Sequence, residues 1–375
     1  MPLTILIGSN VHWWNAEAAY AATAAELLQE AGHRVFVLTR PNTLNAKHLQ
    51  ARGLTLITDI DLNTLNPIRL YQSYQRLKKF LQDYDVQIVN PHRSEGFFIY
   101  ILLKQSLKTF KLIRTRGTTR AVRNSWFNRK MYCDWVDAHI FAGQVVLERV
   151  SQVVPLPSHK KHVIYYPADP VSPSSSNRHP QYYQEFQISP EDKTIAIVGR
   201  ISPVKGHVLL LEGFRKLLKN FPNTVLLILY KHPDPKRPAL LSLQEKCEHM
   251  KIGSQVRFIG PRQDIRDIMK FVDIGVVSSL DSEVICRVAV EFFSVGTPVV
   301  AFPTGCLPEI VHSQVNGILT KDQNADELAA ALEKILSNPE LLQHLSKNAH
   351  EQAVQRFSPS LFLKKNLEVF ESVLK

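Results

Sequence analysis

The repeated alternation of short apolar segments with helical stretches constrains the fold of this chain most. Residues 3–8 (LTILIG) lead through a polar loop into an alanine-rich stretch that ends at Gly32, and a second apolar segment, VFVLTR, follows. This β-loop-α-β order is typical of a doubly wound parallel sheet. Gly32 suits the end of the helix because glycine readily adopts the left-handed conformation used there.

The alternation predicts two groups of strands. The first group is residues 3–8, 35–40, 54–58, 86–90, 111–115, 137–142 and 162–166. The second group is residues 194–200, 225–230, 256–260, 274–279 and 298–303, and the chain is predicted to be helical from residue 323. Between the groups, residues 167–181 are rich in Pro and Ser and poor in large aliphatic side chains, which is typical of an interdomain linker.

The sequence therefore predicts an α/β protein with two Rossmann-like, doubly wound parallel-sheet domains facing a cleft. A length of 375 residues fits two domains. We expect an N-terminal domain over residues 1–168, a linker over 169–192 and a C-terminal domain over 193–357. A last helix over 358–375 is expected to pack back on the N-terminal domain. Ligands of such sheets bind outside the carboxyl ends of the strands.

The positive charge of the chain is concentrated in its first half. The net charge is +11, and residues 1–170 hold 21 Lys and Arg against 12 Asp and Glu, whereas residues 171–375 hold 24 against 22. This asymmetry favours an anionic partner for the first half. No apolar run reaches the ~18 residues of a transmembrane helix, and the first residues are predicted to form a strand rather than a signal peptide. The four scattered cysteines lack C-x-x-C spacing, so we expect reduced thiols in a cytoplasm and neither disulfides nor a metal site.

Two basic residues follow the first strand of the second group. In VGRISPVKG, residues 198–206, Arg200 and Lys205 lie in one loop that opens a helix, with Gly199 and Gly206 at its ends. Glycine lets the backbone approach a ligand closely, and a helix N-terminus favours an anion. The loop fits a diphosphate neutralised by two cations without a metal. The alternative is a solvated loop that carries two basic residues.

Two glutamates surround the start of a helix predicted at about 286–295. Glu283 is expected in the loop before this helix, and Glu291 lies within it among Val288, Ala289, Val290, Phe292 and Phe293. Such neighbours predict a buried setting for Glu291, and a buried unpaired charge is costly. We therefore expect Glu291 to accept hydrogen bonds from hydroxyl groups of a ligand.

These segments together resemble a known family. The ordered set VGRISPVKG, RFIGPRQDIRDIMKFVDIGVVSS, the Glu-seven-residues-Glu segment, GTPVVAFPTGCLPEIV and NGILT resembles the family 4 retaining glycosyltransferases of the GT-B fold. The resemblance is strong over residues 194–320 and weaker in the N-terminal half, through its β-loop-α opening and the histidine of VNPHRSEG. The segment RTRGTTRAVRNSWFNRKMY resembles bacterial members that build cell-surface polysaccharide or lipopolysaccharide.

The resemblance implies a division of roles among the residues that match it. Arg200 and Lys205 fall on the pair that holds the donor diphosphate, Glu283 on the carboxylate at the donor sugar, and Glu291 on the one at the ribose. The segment from Arg262 to Ile265 falls where the nucleobase packs. Backbone N–H groups of the loop from residue 284 to residue 288 are expected to face sugar and phosphate. Besides Gly199, Glu291, Arg262 and Ile265, the predicted donor-binding residues are Val284, Ile285, Cys286 and Arg287. No cofactor is implied, since the nucleotide sugar is a substrate.

The sequence departs from the family pattern at three places. Val284, Ile285 and Cys286 replace a usual Gly-Phe-Gly run, which leaves the donor sugar open. A frequent strand-end His-Gly appears as Arg116 followed by Gly117, and residues 11–15 (VHWWN) replace an early Gly-Gly turn. The second departure leaves open whether Arg116 takes the usual role of the histidine near the donor sugar.

The acceptor is predicted to be anionic and bound by the N-terminal domain. Lys104 to Lys130 contains nine basic residues, and no Asp or Glu occurs between Glu95 and Asp134. We expect this block to meet a phosphorylated acceptor or anionic lipid headgroups on the inner face of a membrane. The predicted acceptor-side residues are His12, Asn15, Glu17, His92, Arg116, Arg120 and Arg123.

Other functions fit the sequence less well. No G-x-G-x-x-G follows a strand and no Walker motif occurs, which disfavours dinucleotide oxidoreductases and P-loop proteins. Isolated histidines do not indicate zinc. Nucleic-acid binding has no motif here and leaves the two glutamates unexplained. A GT-B-fold nucleotide-sugar epimerase or phosphorylase, or an inactive nucleotide-sugar-binding module, stays open as an alternative.

Overall fold

The computed structural model describes residues 2–171, 179–231, 234, 236–281 and 283–375. These residues form two compact units. Unit 1 consists of Met1–Tyr166 and Pro359–Lys375, and unit 2 consists of Pro167–Ser358. Residues 172–178 of the predicted linker lie outside the described residues.

Unit 1 is built on one parallel sheet. Its strands are β1 (Thr4–Gly8), β2 (Arg34–Leu38), β3 (Thr55–Ile57), β4 (Ile88–Pro91), β5 (Lys111–Arg116), β6 (Ala138–Phe141) and β7 (Lys161–Val163). The first six helices are α1 (Ala16–Glu30), α2 (Leu44–Ala51), α3 (Pro67–Asp83), α4 (Phe97–Leu107), α5 (Trp126–Lys130) and α6 (Gln144–Ser151). A π-helical turn, Met131–Trp135, continues α5, and a 3₁₀ turn, Ser158–Lys160, precedes β7.

The strand order in unit 1 is β3-β2-β1-β4-β5-β6-β7. The chain builds outward from β1 in one direction and then from β4 in the other, so the order reverses where β1 pairs with β4. Ile5, Leu6 and Ile7 of β1 are fully buried, because helices cover both faces of a doubly wound sheet. The alternation of strands and helices in the first half of the sequence is confirmed.

Unit 2 repeats this architecture. Its strands are β8 (Lys193–Gly199), β9 (Thr224–Tyr230), β10 (Val256–Ile259), β11 (Ile274–Val277), β12 (Val299–Ala301) and β13 (Gly317–Leu319). Its helices are α7 (Pro180–Glu185), α8 (His207–Leu217), α9 (Pro238–His249), α10 (Ile265–Phe271), α11 (Arg287–Ser294), α12 (Leu307–Ile310), α13 (Ala325–Leu336) and α14 (Pro339–Arg356). The strand order is β10-β9-β8-β11-β12-β13, with the reversal between β8 and β11.

Two elements of unit 2 differ from the sequence prediction. Helix α7 lies inside the predicted linker, because the aromatic ring of Tyr182 is fully buried and packs at 5.5 Å from that of Phe271. Strand β13 was not predicted as a strand; it contains only two large apolar residues, Ile318 and Leu319, between a glycine and a polar residue.

The final helix, α15 (Pro359–Leu374), belongs to unit 1. Its Phe362 ring packs edge-on against Tyr20 of α1, with ring centroids 5.1 Å apart. The Tyr20 hydroxyl in turn donates a hydrogen bond to the carbonyl of Ile164 at 2.9 Å. These contacts tie the two ends of the chain into a single core.

Candidate functional site

The predicted donor residues of unit 2 follow two neighbouring strands. β8 ends at Gly199 and β11 at Val277, and these strands pair at the reversal point of the sheet. Arg200 comes directly after β8 and is exposed, and Lys205 ends a 3₁₀ turn, Pro203–Lys205, just before α8. Doubly wound sheets bind ligands just outside the carboxyl ends of the strands at such a reversal point.

Lys205 and Glu283 are in direct contact. The Lys205 Nζ lies 2.5 Å from the Glu283 Oε2 and 3.2 Å from the Ser279 hydroxyl. The Ser279 hydroxyl also donates to Glu283 Oε2 at 2.8 Å. Only 9% of the Glu283 side chain is exposed, compared with 22% of the Lys205 side chain. A carboxylate that is so largely buried is stable in its charged form only with a partner, and Lys205 supplies the opposite charge. We name these three residues the Lys205–Glu283 cluster.

The loop that carries Lys205 is locked onto the neighbouring strand end. Gly206 has φ +66°, and a Cβ there would lie 2.0 Å from the Ser278 carbonyl oxygen, so only glycine fits. The Ser278 hydroxyl donates to the Lys205 carbonyl at 2.9 Å, and the Leu280 N–H donates to the Val204 carbonyl at 2.8 Å. The position of Lys205 is therefore set by backbone packing rather than by its own ion pair alone.

The Glu283 segment is held from its other side by residues 304–306. The Cys306 N–H donates to the Glu283 carbonyl at 2.7 Å, and the Thr304 hydroxyl donates to the Ser279 carbonyl at 2.6 Å. A Cβ on Gly305 would come within 2.1 Å of the Glu283 carbonyl oxygen. Ser279 and Thr304 were not predicted as part of the site, although both lie in segments that carry the family resemblance.

The residues between Glu283 and α11 form a buried, unusual turn. Val284 and Ile285 are buried, and Cys286 adopts a left-handed conformation with φ +52°. This is one of the positions where the family usually has glycine, so the chain keeps a conformation suited to glycine with a cysteine in its place. No side chain of the described residues caps the first turn of α11. The backbone N–H groups of an uncapped first turn are favourable partners for an anion.

Glu291 has a partner, which corrects the prediction of an unpaired buried carboxylate. The Arg287 Nε lies 2.5 Å from Glu291 Oε1, one helical turn away on α11. The Glu291 side chain is 16% exposed, so it is half-buried rather than fully enclosed. Four of the apolar neighbours, Ala289, Val290, Phe292 and Phe293, are buried on other faces of the helix, and this is why they did not predict the ion pair.

Lys231 is a basic residue near this site that the sequence analysis missed. It follows β9 directly, next to β8 in the sheet. Although its side chain reaches solvent, the surrounding protein removes much of its hydration. This desolvation, followed by repulsion from Arg287, lowers the pKa of Lys231, and Lys205 and Arg200 act in the same direction. Its place directly after a predicted strand was the signal that could have identified it.

Arg262 and Ile265 lie at the start of α10. Arg262 forms an ion pair with Asp264 at 2.7 Å and another with Glu185 of α7. The hydrogen bonds from Arg262 lower the pKa of Asp264 to about 2. Ile265 is the first residue of α10 and is half-buried. Arg262 thus anchors α7 to unit 2, and its predicted place beside a nucleobase stays a prediction.

Most of the predicted acceptor-side residues line one cavity in unit 1. The cavity has a volume of about 430 Å³, and Glu17, His92, Arg116, Arg120 and Arg123 line it. His92 follows β4 and Arg116 ends β5, so the cavity lies at the carboxyl ends of these strands. It also contains residues that were not predicted as site residues: Arg93, Ser94, Glu95, Phe97, Phe98, Arg114, Phe127, Met131 and Tyr132. We call it the unit 1 cavity.

His12 and Asn15 are not among the residues that line the unit 1 cavity. The Asn15 side chain accepts a hydrogen bond from the Ala18 N–H at 2.9 Å and so caps α1. His12 is exposed and contacts Arg40. The structure therefore gives Asn15 a local structural role and separates both residues from the other five.

Burial shifts the pKa values of two residues in this cavity. Desolvation lowers the pKa of His92 to about 3, so the imidazole is neutral at pH 7, and its Nε2 lies 3.1 Å from the Asn90 Oδ1. Burial also raises the pKa of Glu17 above its ordinary value, against the opposing effect of its ion pair with Arg93. His92 is thus a neutral hydrogen-bonding group here.

Across the described ranges, no group of three or more His, Cys, Asp or Glu side chains is arranged to hold a metal ion. In the same part of the chain, no helix is both long and apolar enough to span a bilayer.

Comparison with known proteins identifies the segment that carries the Lys205–Glu283 cluster. Residues 180–352 match the family model described as glycosyl transferases group 1. The putative glycosyltransferase YtcC of Bacillus subtilis (strain 168) is 28% identical over 201 residues, which are 52% of this chain and 48% of that protein. The chain thus spans about half the length of the first curated relatives it matches.

Two solved structures share the fold over almost the whole chain. A glycosyltransferase from Rickettsia africae ESF-5 has a TM-score of 0.87 at 20% identity, covering 100% of this chain and 99% of its own. Anabaena Alr3699/HepE in complex with UDP has a TM-score of 0.85 at 17% identity, covering 99% and 100%. The Anabaena protein has also been solved with UDP-glucose. The protein has the GT-B fold. The segment that matches the group 1 glycosyltransferase model, residues 180–352, includes both Lys205 and Glu283.

Proposed function

We propose that the protein is a retaining, metal-independent glycosyltransferase of the family 4 type. It transfers a sugar from a nucleotide-sugar donor to a glycan, glycolipid or lipid-linked acceptor in the synthesis of cell-envelope polysaccharide or lipopolysaccharide. The observation that carries this proposal is the contact between Lys205 and Glu283. Lys205 is a cation that can bind a phosphate group, and it contacts Glu283, a carboxylate that can accept hydrogen bonds from sugar hydroxyl groups.

The basic residues of unit 2 act on the leaving group. As the bond from the anomeric carbon to oxygen breaks, positive charge develops on the sugar ring and negative charge on the departing diphosphate. Arg200 and Lys205 stabilise that diphosphate, and Lys231 and Arg287 add to the positive potential. Charges that are already in place before the reaction are commonly the largest catalytic contribution. These four cations supply the charge that a metal ion provides in other enzymes, so the proposal needs no metal.

The carboxylates orient the donor. Glu283 accepts hydrogen bonds from hydroxyl groups of the sugar, and Glu291 accepts them from the ribose. The acceptor hydroxyl attacks the anomeric carbon from the face that the diphosphate leaves, and its proton passes to the departing phosphate oxygen. Attack from that face retains the configuration. The complexes of the Anabaena protein with UDP and UDP-glucose support a uridine nucleotide as the first donor to test.

The basic block of unit 1 supports a cytoplasmic enzyme that docks peripherally on the inner face of a membrane. Each Lys or Arg near an anionic membrane contributes about 1 kcal/mol, and the attraction falls off within a Debye length. Co-sedimentation with anionic vesicles is expected at low salt and should disappear at high salt. Equal co-sedimentation with neutral and anionic vesicles would leave a soluble acceptor as the better explanation.

Incubation with nucleotide sugars tests the activity itself. UDP-, GDP-, ADP- and CMP-sugars are first ranked by thermal shift, because a ligand at 100 times its Kd stabilises a protein by about 2.7 kcal/mol. The best donor is then incubated with and without a cell-envelope glycolipid extract. Nucleotide release that depends on acceptor supports transfer. Release or epimerisation without acceptor indicates an epimerase or hydrolase, and binding without any turnover indicates an inactive module.

A further inference from the structure

The unit 1 cavity carries positive charge that the protein itself does not neutralise. Arg114 and Arg116 are 5% and 7% exposed, and both line the cavity. Neither forms an ion pair with a carboxylate among the described residues. The cavity's two carboxylates, Glu17 and Glu95, are both engaged by Arg93. Arg120 and Arg123, at the exposed rim, likewise form no ion pair in the described part of the chain, although the charge of Arg120 also acts on Glu95.

Arg114 is held rigidly in its place. Its guanidinium carbon lies 4.5 Å from the centre of the Phe97 ring and 5.0 Å from that of Tyr132. One Nη donates to the Ser94 hydroxyl at 2.9 Å, and the other lies 3.4 Å from the Met131 sulfur. Burial, together with repulsion from Arg116, lowers the pKa of Arg114. Aromatic faces and neutral groups replace water around this cation, but they do not cancel its charge.

Arg116 has an unused donor. Its Nη1 donates to the Tyr132 hydroxyl at 3.0 Å, and its Nη2 donates to the Arg120 carbonyl. Its Nε is buried and has no hydrogen-bond partner among the described residues. Buried polar groups almost always have a partner, so the guanidinium group of Arg116, which lines the cavity, keeps a hydrogen-bonding donor that the described residues do not satisfy. The π-helical turn that supplies Met131 and Tyr132 is a feature often found at functional sites.

We propose that the unit 1 cavity binds a phosphate group of the acceptor, with Arg114 and Arg116 as the buried cations and Arg120 and Arg123 at the rim. A phosphate monoester or diphosphate offers several acceptor oxygens and more than one negative charge, which planar guanidinium groups bind in a forked geometry. Phe98 and Phe127, which are 44% and 45% exposed, form an apolar wall beside it for the ring or alkyl part of the same molecule. The identification of this phosphate with the acceptor rests on the proposed function.

Binding of a phosphate group to the unit 1 cavity can be measured without a nucleotide-sugar donor. Calorimetric titration of the full chain uses inorganic phosphate, a hexose 6-phosphate and dihexanoyl phosphatidic acid, with the neutral hexose as control and sodium chloride matched for ionic strength. We expect a phosphate compound to bind and the neutral hexose not to bind. Preference for the sugar phosphate indicates a soluble phosphorylated acceptor, and preference for the phosphatidic acid indicates a lipid-borne phosphate. Absence of binding by all three overturns the proposal.

Two variants locate the site. Arg116→Met keeps an unbranched side chain of similar reach without the charge. It should weaken phosphate binding by at least about tenfold, the ordinary effect of losing one charge-assisted hydrogen bond. Arg129→Met removes an exposed charge of the same basic block outside the cavity and should change the affinity less than twofold. Equal weakening in both variants would show a diffuse attraction and overturn the proposal, and Arg116→Lys should restore part of the affinity.

The outcomes for this site and for the proposed function are distinguishable. Phosphate binding with no transfer from any nucleotide sugar would contradict the glycosyltransferase and leave the anion site intact. Transfer to an unphosphorylated acceptor, with unchanged activity in Arg116→Met, would contradict the anion site and leave the glycosyltransferase intact. A thermal melt of Arg116→Met without ligand serves as the folding control.

Discussion

The two units present basic residues at the same place in the same kind of sheet, but they balance the charge differently. In unit 2, Lys205 is paired with Glu283 and Arg287 with Glu291. In unit 1, the buried Arg114 and Arg116 are surrounded by aromatic rings, hydroxyls and a thioether. A site with internal counter-ions is stable while empty and can share its cations with a ligand. The unit 1 cavity is lined by more arginines than carboxylates, and its two carboxylates are engaged by Arg93, so ionic strength and added phosphate should affect unit 1 more.

The largest effect that tests this comparison is expected at Lys205. Lys205→Met removes one of the two cations that are proposed to hold the diphosphate, and it should lower turnover by about 100-fold or more, as the loss of one preorganised donor does. The measurement is initial-rate transfer from the best donor. Turnover near that of the wild type in a folded Lys205→Met protein would refute the role of Lys205.

The Lys205 variant needs its own folding control, because it leaves the Glu283 carboxylate without its counter-ion. Breaking a largely buried ion pair from one side is destabilising. The double variant Lys205→Met/Glu283→Gln removes both charges and should recover most of the lost stability in a thermal melt while it stays inactive. Activity in the double variant would show that the cluster is structural only.

A smaller and more selective effect is expected from the two carboxylates of unit 2. Glu291→Gln should weaken the binding of free UDP by about tenfold, the scale of one charge-assisted hydrogen bond, because Glu291 is assigned to the ribose. Glu283→Gln should leave UDP affinity within about twofold and lower transfer, because Glu283 is assigned to the sugar. Calorimetric titration with UDP and rate measurements separate the two effects.

Glu351→Gln is the matched control for the carboxylates, since Glu351 also pairs with a basic residue one helical turn away, Lys347, at 3.9 Å on the exposed surface. It should change neither UDP affinity nor transfer. Equal losses of UDP affinity in Glu283→Gln and Glu291→Gln would contradict the division of roles and would leave both residues as general supports of the site.

The smallest effect concerns the response of unit 1 to acid. Desolvation lowers the pKa values of His92 and His139 in this unit to about 3, whereas His207 of unit 2 has a pKa of about 4. The unfolded chain gains these protons near pH 6.5 and the folded chain does not. The stability that the neutral histidines contribute is therefore complete above pH 6.5 and is lost as the pH falls towards 3. Each histidine accounts for at most about 1.4 kcal/mol per pH unit.

His139→Gln isolates this contribution. The variant should lose about 1 kcal/mol less stability than the wild type between pH 6 and pH 5, as measured by urea denaturation. His344→Gln alters an exposed histidine and should follow the wild-type pH dependence. Hydrogen exchange at pH 5 should show unit 1 opening before unit 2. The same pH dependence in His139→Gln and the wild type would show that burial of this histidine has no thermodynamic consequence.

Much of the fold was predictable, because each strand and helix leaves a local pattern of burial. The apolar segments that predicted β1, β8 and β11 are buried on both faces of their sheets, and so they are apolar almost throughout. Helix α7 was missed because Pro and Ser dominate the segment before it, whereas Tyr182 is what packs it onto unit 2. A local pattern cannot say which distant surface a single aromatic side chain will meet.

By itself, the sequence determined the order of the strands and helices apart from α7 and β13, and it placed Arg200, Lys205 and Glu283 in loops that follow predicted strands. Only the tertiary structure decided their partners. Lys205 and Glu283 are 78 positions apart and touch because β8 and β11 are neighbours in the sheet. Folding likewise brings Arg114 against the Tyr132 ring, and desolvation together with the charge of Arg287 lowers the pKa of Lys231. Periodicity records burial within one element, whereas a charge state depends on every group that folding brings near it.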